Sequence, residues 1–232
     1  MLNLKNLELK YRKALKYLLG VRKSTCNEFP YVELARPTLT SLIYKRQLKF
    51  YRKCNAGDDL PMQKFIIKQA LDAKTGFSDH YVMLDRKYKE PEDISTESLM
   101  MMKQSIENKA SNNKSRYKSY LSMNPSLSRP DIYNRCIPFY KLLPVIRLRT
   151  VSHDLEIERA RLRQHHVPQD QRLCSCGDVE TEQHFILHCN QYTHIRDKHS
   201  LHELPFSEQL NNIDTPDFIY ELSKCRKIYL KK

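Results

Sequence analysis

At 232 residues the chain can build one large domain or two small ones, and its four Gly, absent Trp and 14 Tyr describe an ordered, helix-friendly sequence. Forty Lys plus Arg against 27 Asp plus Glu leave a net charge of +13, which draws polyanions (nucleic acid first, an anionic membrane surface second), unless it is only a solvated surface. Seven Cys, an odd number, exclude a disulfide scaffold. No signal-peptide pattern opens the sequence and no apolar run reaches the roughly 18 residues of a bilayer span, so the expectation is an intracellular protein of cytoplasm or nucleus, with reduced thiols and no membrane.

In chain order, Leu4, Leu7, Tyr11, Ala14, Leu15 and Leu18 recur at helical spacing, with Gly20 placed as the C-cap and Lys5, Lys10, Arg12, Lys13 and Lys16 on the other face. A polar turn, Arg22 to Glu28, leads to a second helix from about Pro37 to Cys54 with Leu39, Leu42, Ile43 and Phe50 as its apolar stripe. This helix carries the densest positive charge of the chain: Lys45, Arg46, Lys49, Arg52 and Lys53, interleaved with Tyr44 and Tyr51. Cations beside aromatic rings suit backbone tracking and base stacking; a solvated helix face is the competing reading. Asp59 and Pro61 read as N-cap and first residue of a helix ended by Gly76, and a further helix runs through Tyr81 to Tyr88. Glu90 to Asp93 is the expected hinge. Ser95 or Thr96 then caps a long helix through Met100–Met102, read as core filler, to about Tyr120. Asn124 to Pro130 reads as loop, and Ile137 to Leu148, broken by Pro138 and Pro144, as short irregular or helical pieces.

The most specific chemistry lies in residues 172–189. Cys174 and Cys176 form a close pair on a turn, with Gly177 allowing the bend, and His184 and Cys189 follow on a short helix that starts at Thr181, where Glu182 suits the first turn. Four such donors in a short segment are what a structural zinc needs, the metal replacing a core that so small a module cannot build. The single residue between Cys174 and Cys176 makes a tighter chelate than usual, and His188 is the alternative to Cys189 as fourth ligand. The remaining histidines, His153 among them, read as exposed or capping residues.

No active site emerges. Asp58-Asp59 sits between Asn55-Ala56-Gly57 and Leu60-Pro61, which favours helix capping over a catalytic metal pair, and Glu156 and Glu158 find no partner constellation. There is no phosphate-binding glycine loop or nucleophile elbow, and four protein ligands leave a zinc ion no open position for a reactive water.

Several segments together resemble the C-terminal region of non-LTR retrotransposon polyproteins, beyond the reverse transcriptase catalytic core. They are Lys16-Tyr-Leu-Leu-Gly-Val-Arg-Lys-Ser-Thr25, Glu33-Leu-Ala-Arg-Pro37 with Ala35 where Gly is usual, and the run Arg147-Leu-Arg-Thr150, Ser152-His153, Leu155, Ile157-Glu158 and Arg161, with Ala160 replacing a usual Gly. The strongest part is Arg172, Cys174, Cys176, Glu180-Thr-Glu182, His184-Phe185 and Cys189, continued by Tyr192 and Arg196. The resemblance implies a part of the polyprotein that helps the polymerase hold RNA or DNA, with the reverse transcriptase core as a further partner. The polymerase palm and endonuclease are not in this sequence.

The expected architecture is mainly α: a basic helical segment over 1–89 resembling the region after the palm, a long helix and connector over 90–145, a CCHC zinc module over 146–205 and a basic tail over 206–232. The expected function is non-catalytic binding of RNA or single-stranded DNA, mainly through the phosphate backbone. Lys45, Arg46, Lys49, Arg52 and Lys53, with Arg161, Arg163 and Arg172 near the finger, are the expected contacts. A protein-interaction module held together by zinc, or an inert truncated relic, are the alternatives.

Overall fold

In a computed structural model the described residues are 4–56, 61–73, 76–162, 167–199, 205–212 and 214–229. The chain is mainly helical. In order come α1 (Leu4–Leu18), α2 (Phe29–Glu33), α3 (Leu39–Ala56), α4 (Pro61–Asp72), α5 (Gly76–Lys87), α6 (Pro91–Ser111) and α7 (Ser115–Met123), then α8 (Phe139–Arg149), α9 (Glu156–Arg159), α10 (Thr193–His199), α11 (Phe206–Gln209) and α12 (Thr215–Tyr229). No strand occurs among the described residues; Leu173 and Val179 form an isolated antiparallel bridge.

Helix ends follow local chemistry. α1 stops at Gly20, whose φ of +64° is the left-handed cap. The Gly20 N–H donates to Tyr17 O (2.9 Å) and the Val21 N–H to Lys16 O (3.1 Å), so two orphan carbonyls are satisfied. α6 begins one turn earlier than its sequence suggests. Pro91 is its first residue, Glu92 and Asp93 fill its first turn, and the Asp93 carboxylate accepts the Glu90 N–H at 2.8 Å, so the expected hinge is a helix start. α6 then ends at Ser111 rather than running to Tyr120, because Asn113 takes φ +59° and the Lys114 N–H closes on Lys109 O. Gly76 starts α5 instead of ending α4. Asp58, Asp59 and Arg163 lie outside the described residues.

The chain divides into two compact units that differ from the four segments read from sequence: Met1–Tyr11 with Ala35–Met102, and Arg12–Leu34 with Lys103–Lys232. In the first unit Leu48, Tyr51, Cys54, Tyr81, Leu84 and Ile94 form the core, with Tyr51 stacked on Tyr81 at 5.5 Å and Tyr44 against His80 at 4.6 Å. Tyr44, Leu48 and Tyr51 therefore make the buried stripe of α3, and Phe50 points outward, 47% exposed. Met100 and Met101 are also exposed rather than core filler.

In the second unit Phe29 of α2 stacks on Tyr120 of α7 at 4.0 Å, and Val145, Ile146 and Leu148 of α8 and Phe218, Ile219 and Leu222 of α12 are all buried. Within the expected tail, α12 is a core helix, and it packs on α8. Pro144 sits inside α8, so Ile137 to Leu148 is a continuous helix from Phe139 onward.

Ala35, one residue past the C-cap of α2, takes φ +48°. A Cβ is strained there. Ala35→Gly is expected to raise stability by about 0.5–1 kcal/mol, read as a higher urea midpoint; an unchanged or lower midpoint refutes the strain argument.

Candidate metal centre

The centre is assembled from a turn and a helix start in the second unit. The Cys174 N–H donates to Asp178 O at 2.7 Å and the Gly177 N–H to Cys174 O at 3.0 Å, which folds Cys174 and Cys176 back on one another; Gly177 carries φ +100°. The Glu180 N–H then closes on Arg172 O at 2.8 Å, completing a small hairpin. Thr181 caps the following turn, its hydroxyl accepting the His184 N–H at 3.0 Å.

That turn, His184–His188, is π-helical, with the Cys189 N–H on His184 O at 2.8 Å. In an ordinary α-helix, residues five apart point about 140° away from one another, at roughly 100° per residue. The wider π turn closes after five residues and so stacks Cys189 against His184. This one extra residue per turn selects Cys189 over His188, which is left exposed.

The donor atoms of Cys174, Cys176, His184 and Cys189 all lie within 4.8 Å of one another. Cys174 Sγ and Cys189 Sγ are 3.8 Å apart, and Cys176 Sγ is 3.2 Å from His184 Nε2. A disulfide needs about 2.05 Å, so the first pair is unbonded. A tetrahedral ion with metal–sulfur bonds of about 2.3 Å has sulfur–sulfur edges of about 3.8 Å, the separation found here. The four residues can hold a metal ion. Burial and the neighbouring thiols push the Cys189 thiol up to about 12, and burial also raises Cys174 and lowers His184. Without an ion Cys174 and Cys189 are therefore neutral thiols beside a neutral imidazole, and binding a cation there releases their protons. The His184 Nδ1 faces the Asp178 carboxylate at 3.9 Å, which leaves Nε2 for the metal.

Around the centre, polar residues serve the fold. Glu180 takes a bidentate pair from Arg226 of α12 (2.6 and 2.7 Å), with both side chains buried. Glu182 accepts from His153 Nε2 at 3.0 Å while His153 Nδ1 accepts the Leu155 N–H, which assigns the proton to Nε2. Of the two expectations for His153, exposed or capping, the first fails, since it is buried, while its Nδ1 does accept a nearby backbone N–H. Phe185 packs edge-on against Tyr192 at 5.4 Å.

The expected nucleic-acid contacts separate into two groups. Arg172 is 5% exposed, and its three guanidinium nitrogens bind Val167 O and Ile157 O, so it holds the loop and has no surface to offer a phosphate. Arg161 is tied to Glu158 and Ser115, and Glu158 also takes Arg116 at 2.8 Å. Arg52 binds Asp85, Tyr88 O and Lys89 O, each at 2.7 Å. Arg46, Lys49 and Lys53 instead lie at the exposed face of α3 with Phe50 between them. Lys45 and Lys49 share one carboxylate, Glu92, at 3.3 and 2.7 Å. Tyr44 and Tyr51 stand on the opposite, buried side and are no part of that face.

No helix among the described residues is long and apolar enough to cross a membrane. Comparison with family models, characterised proteins and solved structures finds no match to this chain.

Proposed function

We propose that the chain is a non-catalytic nucleic-acid-binding protein whose metal centre takes zinc, and that it is a fragment of a retrotransposon reverse transcriptase polyprotein. Three thiols and one imidazole in a closed set suit a structural zinc, with no position left for substrate. The observation that carries the binding reading is the outer face of α3, where Arg46 and Lys53 flank an exposed Phe50, with Lys49 beside it held by Glu92. Cations track a phosphate backbone and the ring offers a stacking platform; this favours single strands, RNA or DNA. The retroelement origin is supported by the character of the resembling residues. Glu33, Arg149, His153, Glu158, Arg172, Glu180 and Glu182 are all buried polar groups with partners, as a fold-preserving pattern requires.

The test is anisotropy of labelled single-stranded RNA and DNA across a salt series. Binding that weakens steeply with salt, by about 0.7 log units per log unit of salt for each phosphate contact, supports the proposal; flat, weak binding rejects it. Glu92 sharpens this. Its carboxyl is held down at about 2, by Lys49 first and then Lys45, so it stays ionised and neutralises them throughout the working pH range. Glu92→Gln is expected to free both cations, tightening binding and steepening the salt slope by about 0.7–1.4; an unchanged slope removes α3 from the interface.

A protein-interaction role is the second reading, favoured by Met100 and Met101, 64% and 61% exposed on α6. It predicts salt-insensitive behaviour toward both nucleic acids.

A further inference from the structure

Where α8 meets α12 in the second unit, a cleft of about 190 Å³ opens beside the packed core. Leu143, Pro144, Leu148, Leu155 and Phe185 form the apolar part of its lining. Tyr140 and Tyr220 also line the cleft, their rings edge to face at 5.4 Å and 67°. Both helices contribute in the same rhythm. Tyr140, Pro144 and Arg147 follow at i, i+4 and i+7 on α8, and Tyr220, Lys224 and Lys227 do so on α12. Each helix therefore presents an aromatic ring and, two turns on, a positive head to the same cleft.

The charges resolve into fixed and available ones. Arg226 is committed to Glu180, the lining carboxylate Asp154 is paired with Arg22, and the His153 Nε2–H is committed to Glu182. Arg147 spends one nitrogen on Gly20 O at 3.1 Å. Lys224 lies 5.5 Å from the Tyr220 ring centroid, and Lys227 is exposed. Arg147, Lys224 and Lys227 form no ion pair among the described residues. Three cations at a rim without a free carboxylate call for an anion. A cavity of this size is below the roughly 300 Å³ of sites for drug-sized ligands, but above the roughly 150 Å³ cavity known to admit benzene. It takes one planar ring.

We infer that the α8–α12 cleft is a nucleotide site: one base packs against the face formed by Tyr140, Tyr220 and Pro144, and its phosphate rests on Lys224, Lys227 and Arg147. The nucleotide is either free or the end residue of a strand. Only the strand form rests on the nucleic-acid reading proposed above; the pocket itself does not.

The experiment uses the full metal-loaded chain with three probes: AMP, ribose 5-phosphate and a labelled 12-nucleotide oligo(A) RNA. AMP is expected to bind, with ribose 5-phosphate at least about tenfold weaker, since stacking contributes about 1–3 kcal/mol per base. Tyr140→Leu, at a 57% exposed position, should weaken AMP about 5- to 100-fold, and Lys224→Gln with Lys227→Gln should weaken it about tenfold in low salt. Equal affinity for AMP and ribose 5-phosphate, or no effect of Tyr140→Leu on AMP, overturns the cleft. Arg46→Gln with Lys53→Gln tests the α3 face separately. RNA binding lost there while AMP stays on the cleft identifies a free-nucleotide site; RNA binding weakened by the cleft variants as well identifies a strand-end site. AMP binding in a chain that binds no RNA keeps the cleft and rejects the nucleic-acid function. RNA binding without AMP binding does the reverse.

Discussion

Chelating the metal is expected to unfold much of the second unit, not merely the hairpin that carries the cysteines. A structural zinc site of this donor type contributes on the order of 10 kcal/mol of apparent folding free energy, comparable with the whole stability of a domain at about 5–15 kcal/mol. The route of spread is explicit. Glu180 lies between the two ligand pairs and is gripped by Arg226, so a loosened hairpin releases α12, whose Phe218, Ile219 and Leu222 are buried in the unit's core. Elemental analysis should find one zinc per chain. Cys189→Ala should abolish it, while His188→Ala, at an exposed position, should keep it. Acid should act in the same direction as the chelator. The buried thiols hold their protons, with Cys189 up to about 12, so the ion must displace them. Each thiol deprotonated on binding makes the affinity fall about tenfold per unit drop in pH while its free form is protonated. A melting curve unchanged by chelation, or metal retained by Cys189→Ala and lost by His188→Ala, would sink this assignment.

Parts of this architecture were readable from residue order because their signals are local. Gly20 ends α1 through its own backbone freedom, and the Cys/His spacing marks a candidate cluster of Cys174, Cys176, His184 and either His188 or Cys189. The π turn that decides between His188 and Cys189 has no such mark, because one extra residue in a helical turn costs no change of composition. α2 was invisible for a related reason: five residues, all buried, show no face and no period. The fate of a charge is the least legible feature of the sequence. Arg172 and Arg52 look in sequence like any other surface cation, and only three-dimensional placement reveals that carbonyls and carboxylates have claimed them. Arg46 and Lys53 have the same composition signal and a different fate. The pairing of positions far apart in sequence is the information that periodicity cannot carry.

The buried pair Glu33–Arg149 is where that limitation has its largest energetic consequence. The residues stand 116 positions apart, both at 0% exposure, joined by Nε–Oε2 (3.2 Å) and Nη2–Oε1 (3.1 Å) contacts. The carboxylate also accepts from Tyr120 (3.0 Å), Tyr133 (2.7 Å) and Asn124 (3.3 Å), while Arg149 reaches Met123 O and Asn211 Oδ1. Burial, reinforced by Glu33, pushes both phenols up, so they remain donors at every working pH. Removing either charge strands the other, at about 3–5 kcal/mol. The two directions differ. Arg149→Met leaves Glu33 with three donors around it. Glu33→Leu leaves a guanidinium with two neutral acceptors and orphans two phenol hydroxyls, each lost hydrogen bond adding about 1–3 kcal/mol, while the Asn124 amide keeps Ser128 O and the Tyr120 hydroxyl. Glu33→Leu is therefore expected to be the more damaging, and the double variant Glu33→Leu with Arg149→Met to recover only the charge part of the loss. Urea unfolding followed by far-UV circular dichroism ranks the three. If Glu33→Leu unfolds within about 1 kcal/mol of the unaltered chain, the network is not what holds α2, α7 and α8 together.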